Sequence, residues 1–146
     1  ATWHARRGRP PSGHRKPRPT RMDFPCFLEF LLAWEDKKHP VSVAYFFRVL
    51  DRDKKHHLTS RDLHLFFRDV HQKWVEGGHY DLAMEDVKDE MYDMVSPKDK
   101  YRMTLQDILD SKQGDTIVNI LSDITGFWRY DSREMLMQQE EQEEEL

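Results

Sequence analysis

Three acids stand at intervals that suit a hard cation. In the stretch DRDKKHHLTSRD, Asp51, Asp53 and Asp62 occupy positions one, three and twelve. A twelve-residue calcium loop takes oxygen ligands from positions one, three, five, seven and twelve, and places a glycine at six for its sharp turn. The other positions argue against an ion. Lys55 stands at five and His56 at six, so an ammonium sits where an anionic ligand belongs and repels the cation. Asp62 is also one methylene shorter than the bidentate glutamate that ends such a loop. Asp51, Asp53 and Asp62 are therefore weak metal candidates, and no cofactor is expected, calcium included.

Other chemistry finds less support. Of the eight histidines, His56 and His57 fall in this polar stretch, while His64 and His71 lie seven apart on a predicted helix. That separation is about 10 Å along the axis, too far for one zinc ion. The chain has no glycine-rich phosphate loop, CxxC pair, GxSxG or HExxH, so no catalytic residue is assigned and an enzyme is not expected. Cys26 is the single cysteine, which excludes an internal disulfide and suits a reducing compartment. The longest apolar run, around Phe27 to Trp34, is interrupted by Glu29 and is far shorter than a membrane span. No membrane association is expected.

The net charge of −4 conceals two opposed ends. Residues 1–21 carry Arg6, Arg7, Arg9, Arg15, Lys16, Arg18 and Arg21 without an acid, among prolines and glycines. Such a stretch buries too little apolar surface to offset its ordering entropy and is expected to be a disordered basic arm. Counterion release would let it bind nucleic acid, but a flexible tail is the simpler reading and nucleic acid is not an expected partner. Residues 135–146, ending in Glu140, Glu141, Glu143, Glu144 and Glu145, are expected as a disordered acidic tail.

Between these ends the apolar residues recur at helical spacing. Phe24, Phe27, Phe30, Leu31 and Trp34 form one stripe, with Pro25 suited to a first turn. Val43, Phe46, Phe47 and Leu50 form a second, and Leu63, Phe66, Phe67, Val70 and Trp74 a third that ends at Gly77 and Gly78. A fourth helix over about 83–95 turns Met84, Val87 and Met91 inward, together with Met94 or Val95. A fifth begins at Leu105, Ile108 and Leu109 and is expected to end at Gly114. A sixth, N-capped by Asp115 or Thr116, carries Ile117, Ile120, Leu121 and Ile124 and meets Gly126 as a C-cap. FWRY then packs back as an aromatic anchor, before a short polar helix around Ser132 to Gln138. Core packing is the expected role of Met91, Tyr92, Met94, Phe127 and Trp128, with an adaptable binding surface as the alternative.

Two segments repeat. Leu58, Thr59, Asp62 and Leu63 align with Met103, Thr104, Asp107 and Ile108, and each set follows an amphipathic helix and a polar loop. Helix, twelve-residue loop, helix is the EF-hand plan, in which apolar residues at position eight pair neighbouring loops. The expected fold is all-α, built of EF-hand-like helix-loop-helix repeats joined by a short ribbon at Leu58 and Met103. The second loop, from Ser96, carries Lys98 and Lys100 at positions three and five and is expected to be metal-free. Met22, Asp23 and Phe27 fit positions eight, nine and thirteen of a third copy whose first half is replaced by the basic arm. An alternative start or a faulty gene model is one reading of that arm.

The stretch FFRDVHQKWVEGGHYDLAMEDVKDEMYDMVSPKD, followed by TLQDILDSKQGDTIVNILSDITGFWRYDSRE, closely resembles the gamma-type B'' regulatory subunits of protein phosphatase 2A, the plant Fass (Tonneau) branch in particular. The resemblance covers roughly 22–134, the expected degenerate EF-hand domain. It implies a non-catalytic subunit that binds the phosphatase scaffold and catalytic subunits and directs them to substrates. It also implies a setting in microtubule or centrosome organisation, with cytoskeletal or centrosomal proteins as further partners and a cytoplasmic, centrosomal or nuclear location. A calcium-binding sensor is the alternative function, since family members bind calcium through acid-rich loops of which only Asp51, Asp53 and the shortened Asp62 remain.

Overall fold

A computed structural model of the chain describes residues 21–144, in which eight α-helices are connected by short loops. Three of the helices start on the same device. Asp23, Thr59 and Thr104 all have extended backbones and N-cap α1 (Phe24–Glu35), α3 (Ser60–Glu76) and α5 (Leu105–Ser111). Each stands at position nine of its loop template, so the threefold repeat in the sequence is a repeat of caps. Pro25 and Pro40 lie in the first turns of α1 and α2 (Pro40–Leu50), where their missing N–H groups cost nothing.

The four helices α2, α3, α4 (Met84–Val95) and α5 form two helix-loop-helix units, with α2 packed on α5 and α3 on α4. The units meet at one antiparallel bridge, Leu58 to Met103, closed by backbone hydrogen bonds of 2.8 and 2.9 Å in the two directions. Both side chains are fully buried. The expected ribbon and its register are therefore present. The core beneath it holds Phe67, Val70, Trp74, Val87, Met91 and Val95, the inward residues that the helical spacing predicts.

The next two helices close this core. Helices α6 (Gly114–Ser122) and α7 (Ile124–Asp131) pack on each other and on α3, burying Ile117, Ile120, Leu121 and Phe127. Phe127 meets Phe67 and Trp74 edge-on, at centroid distances of 5.1 and 4.9 Å. The final helix, α8 (Arg133–Glu144), buries no residue.

Three expectations are corrected. Gly114 does not end α5. Lys112, with φ 56°, takes the left-handed terminal position, and Gly114 opens α6, where an added Cβ would lie 2.7 Å from Val43 Cγ2. Gly126 caps nothing either. Asp123 ends α6 and caps α7 by accepting the Gly126 N–H at 2.7 Å, which places Ile124 and FWRY within α7. Helix α8 carries helical structure through Glu144, across most of the expected disordered tail, because Glu, Gln, Met and Leu are all good helix formers. The α1 stripe is only partly covered: Phe24 is 71 % exposed and Phe27 46 %, whereas Ala33, Phe30 and Trp34 pack with Phe46 of α2 and Val118 of α6. The expected basic arm, apart from Arg21, lies outside the described residues.

A Cβ on Gly126 would sit 2.4 Å from the Asn119 carbonyl oxygen, a backbone atom that cannot move aside cheaply. Gly126→Ala should therefore lose about 2 kcal/mol in urea denaturation, although the same change in an open helix gains about 1 kcal/mol.

Candidate functional site: the paired loops

The first loop leaves α2 at Asp51, which is buried and turns both carboxylate oxygens back on its own loop. They accept the backbone N–H groups of Lys55 at 2.9 Å and His56 at 2.7 Å. Two residues between Asp51 and the ribbon have left-handed backbones, Lys54 with φ 54° and His56 with φ 62°. His56 thus supplies the turn for which the EF-hand plan uses glycine, a conformation that histidine enters more readily than most residues. At the far end Asp62 is buried and accepts the Thr59 N–H at 2.8 Å and the Thr59 hydroxyl at 2.9 Å, fixing the start of α3.

The Lys55 ammonium also reaches Asp62, at 2.7 Å, and lies 3.9 Å from Asp53. The Asp53 side chain is 76 % exposed. The structure therefore brings Asp51 and Asp62 inside one loop but does not gather all three metal candidates. Among the described residues, no three His, Cys, Asp or Glu side chains converge on a point where an ion could sit. The donor set does not fit calcium: Asp51 is occupied by two amides, Asp53 faces solvent, and the position-twelve carboxylate is bonded to an ammonium.

The second loop repeats the cap without the cation. Asp107 accepts the Thr104 N–H at 2.9 Å and its hydroxyl at 2.7 Å. Lys98 approaches Asp107 with its backbone N–H, at 3.5 Å, and the Lys100 ammonium lies over the Tyr101 ring. Burial raises the Asp62 carboxyl, but hydrogen bonds from Lys55 and Thr59 outweigh it and hold the group below its ordinary value. Asp107 is likewise held low, its burial outweighed by Thr104 and Lys98. The bond to Asp62 holds the Lys55 ammonium above its ordinary value.

In a calcium sensor, ion binding opens an apolar groove between helices. Here that space holds Ile117, Ile120, Leu121 and Phe127 from α6 and α7. Of the proposed adaptable residues, Met91 and Phe127 are core, Tyr92 and Met94 are half-buried, and Trp128 is 39 % exposed. One structural feature had no signal in the sequence. The 77–82 connection is fastened over Trp74, whose indole N–H donates to the Tyr80 carbonyl at 3.0 Å while His79 stacks on the ring at 4.2 Å. Tyr80 then donates to Asp131 at 2.6 Å, which pushes its phenol up to about 12.

No family model matches the chain. It is 49 % identical over 136 residues to TON2 of Arabidopsis thaliana, a probable B'' regulatory subunit of serine/threonine-protein phosphatase 2A, covering 93 % of this chain and 28 % of that one. The gamma-type B'' regulatory subunit of Danio rerio is 44 % identical and that of Homo sapiens 42 %, each over 116 residues and 80 % of this chain. The chain belongs to the B'' family of phosphatase 2A regulatory subunits.

This B'' chain spans about a quarter of the length of the curated relatives it matches. A solved PP2A PR70 holoenzyme contains a similar structure, with a TM-score of 0.69 and 26 % identity over 73 % of this chain and 40 % of that one. Its match to the helices of this B'' chain agrees with the expected all-α, EF-hand-like fold. The relatives are named as regulatory subunits of a phosphatase, in keeping with the expectation that the chain is not an enzyme.

Because the folded Asp62 is depressed, its contribution to stability is complete above the unfolded carboxylate value near 4 and is lost as pH falls through the lower folded value. Asp62→Asn should cost about 1–2 kcal/mol at neutral pH by weakening the cap and the lysine bond. In urea titrations that difference from the unsubstituted chain should stay constant from about pH 5 to 9 and shrink below about pH 4.

Proposed function

We propose that this chain is a non-catalytic regulatory module of protein phosphatase 2A, which binds the scaffold and catalytic subunits through protein contacts that need no calcium and directs them to substrates. The uncovered apolar face of α1 carries the reading. Phe24 and Leu32 are 71 % and 70 % exposed on a helix whose main contact is with α2, whereas the apolar faces of α2, α3, α4 and α6 are covered from within the chain. Beside it an apolar cavity of about 370 Å³ is lined by Phe30, Trp34, Phe46, Val49 and Phe66. A large exposed apolar surface on a soluble fold marks a protein contact, and the relatives' names and the holoenzyme neighbour make the phosphatase the partner to test.

Within this proposal the setting is cytoskeletal, at microtubule-organising or centrosomal sites in the cytoplasm or in the nucleus. It is supported by the resemblance to the TON2 and gamma subunits alone. The calcium-sensor alternative gains no support from the loops or from the filled helix groove.

The full chain should capture purified scaffold and catalytic subunits equally in chelator and in millimolar calcium. Phe24→Glu with Leu32→Glu should reduce capture at least about ten-fold, equivalent to about 1.4 kcal/mol, while circular dichroism stays unchanged because both side chains are exposed. Capture in calcium alone would favour the sensor, and no capture in either condition would overturn the proposal.

A further inference from the structure

The first loop has formed every feature that an ion normally organises in an EF-hand. Its turn is made at His56, its ribbon at Leu58, its cap at Thr59, and its position-twelve carboxylate is turned inward. A carboxylate drawn into the interior needs a compensating charge. Among the described residues, Asp62 has one such partner within 4 Å, the Lys55 ammonium. Three donors converge on Asp62 Oδ2: Lys55 Nζ at 2.7 Å, Thr59 N at 2.8 Å and Thr59 Oγ1 at 2.9 Å.

We infer that Lys55 is the resident cation of the 51–62 loop, its tethered ammonium supplying at Asp62 the positive charge that a divalent ion supplies in a calcium-loaded loop of the same plan. Lysine at position five is then part of what builds the loop, in addition to disfavouring an ion. The tether has a further consequence. An intramolecular ammonium is present at an effective concentration independent of cellular calcium, so the loop stays closed when the ion is scarce and does not respond when it rises. The second loop shows that capping alone does not bring an ammonium to position twelve, because Lys98 meets Asp107 with its backbone and Lys100 turns to Tyr101.

It follows that replacing the one ammonium by a carboxylate should make the loop depend on an added cation. Lys55→Asp would put an acid at position five beside Asp51, Asp53 and Asp62, removing the internal charge and restoring an anionic ligand. The inference concerns the loop itself and holds whether or not the chain binds a phosphatase.

The test is thermal unfolding of the full chain in chelator, in millimolar calcium and in millimolar magnesium, paired with calorimetric titration of calcium chloride. The unsubstituted chain should melt at one temperature in all three solutions. Lys55→Asp should melt about 5 °C lower in chelator, recover in calcium, and bind the ion at least ten-fold more tightly than the unsubstituted chain. If it is already unfolded in chelator, refolding driven by calcium reads the same result. Lys55→Met should melt lower in all three solutions with no recovery, separating the lost ion pair from the gained ligand. Equal calcium binding by the unsubstituted chain and Lys55→Asp would overturn the inference, as would a Lys55→Asp chain whose melting in chelator is unchanged or that ignores calcium.

Discussion

Two backbone hydrogen bonds between Leu58 and Met103 join the helix-loop-helix units, and the remaining packing is arranged around that join. A single bridge is a small amount of sheet and would not persist in water by itself. It persists here because both residues are fully buried, so opening it exposes two large apolar side chains and four backbone groups together. The bridge also fixes where Thr59 and Thr104 lie, and hence where α3 and α5 start. Displacing it would move α3, against which α4, α6 and α7 all pack.

The parts of this arrangement that follow from local pattern were legible in the sequence. The stripes of α2, α3 and α4 and the Leu58–Met103 register depend on spacing alone, and spacing is what a sequence displays. Features set by close approach were not. Gly114 and Gly126 look like helix terminators because glycine commonly ends helices, yet each is required where another element comes too near for a Cβ. The α1 stripe shows the same limit from the other side. Apolar spacing predicts a helix with an apolar face, but whether that face is buried depends on a neighbour, and at Phe24 and Phe27 of α1 none covers it.

At the loops the residue types were informative and one partnership was hidden. Lys55 reads as a defect when position five is judged as a calcium ligand, since the relevant comparison is with an ion. Folded, it is seven residues from the carboxylate it satisfies, a distance in sequence for which no simple periodicity exists outside a helix. His56 is similar, a departure from the glycine pattern that nevertheless adopts the turn. The loops thus keep the architecture of a cation-binding pair while their charges are neutralised from within. That suits a module in a family of phosphatase regulatory subunits whose helix groove is already filled by α6 and α7.

Whether the paired loops hold together with no metal is read by native-state hydrogen exchange of the Leu58 and Met103 amides in chelator. If the bridge is part of the cooperative core, both amides should exchange only through global unfolding, with the same free energy as the amides of Phe67 and Val70 in α3. If both exchange through local opening in chelator and become protected on adding calcium, the ribbon depends on an ion and the loops are not held together from within the chain.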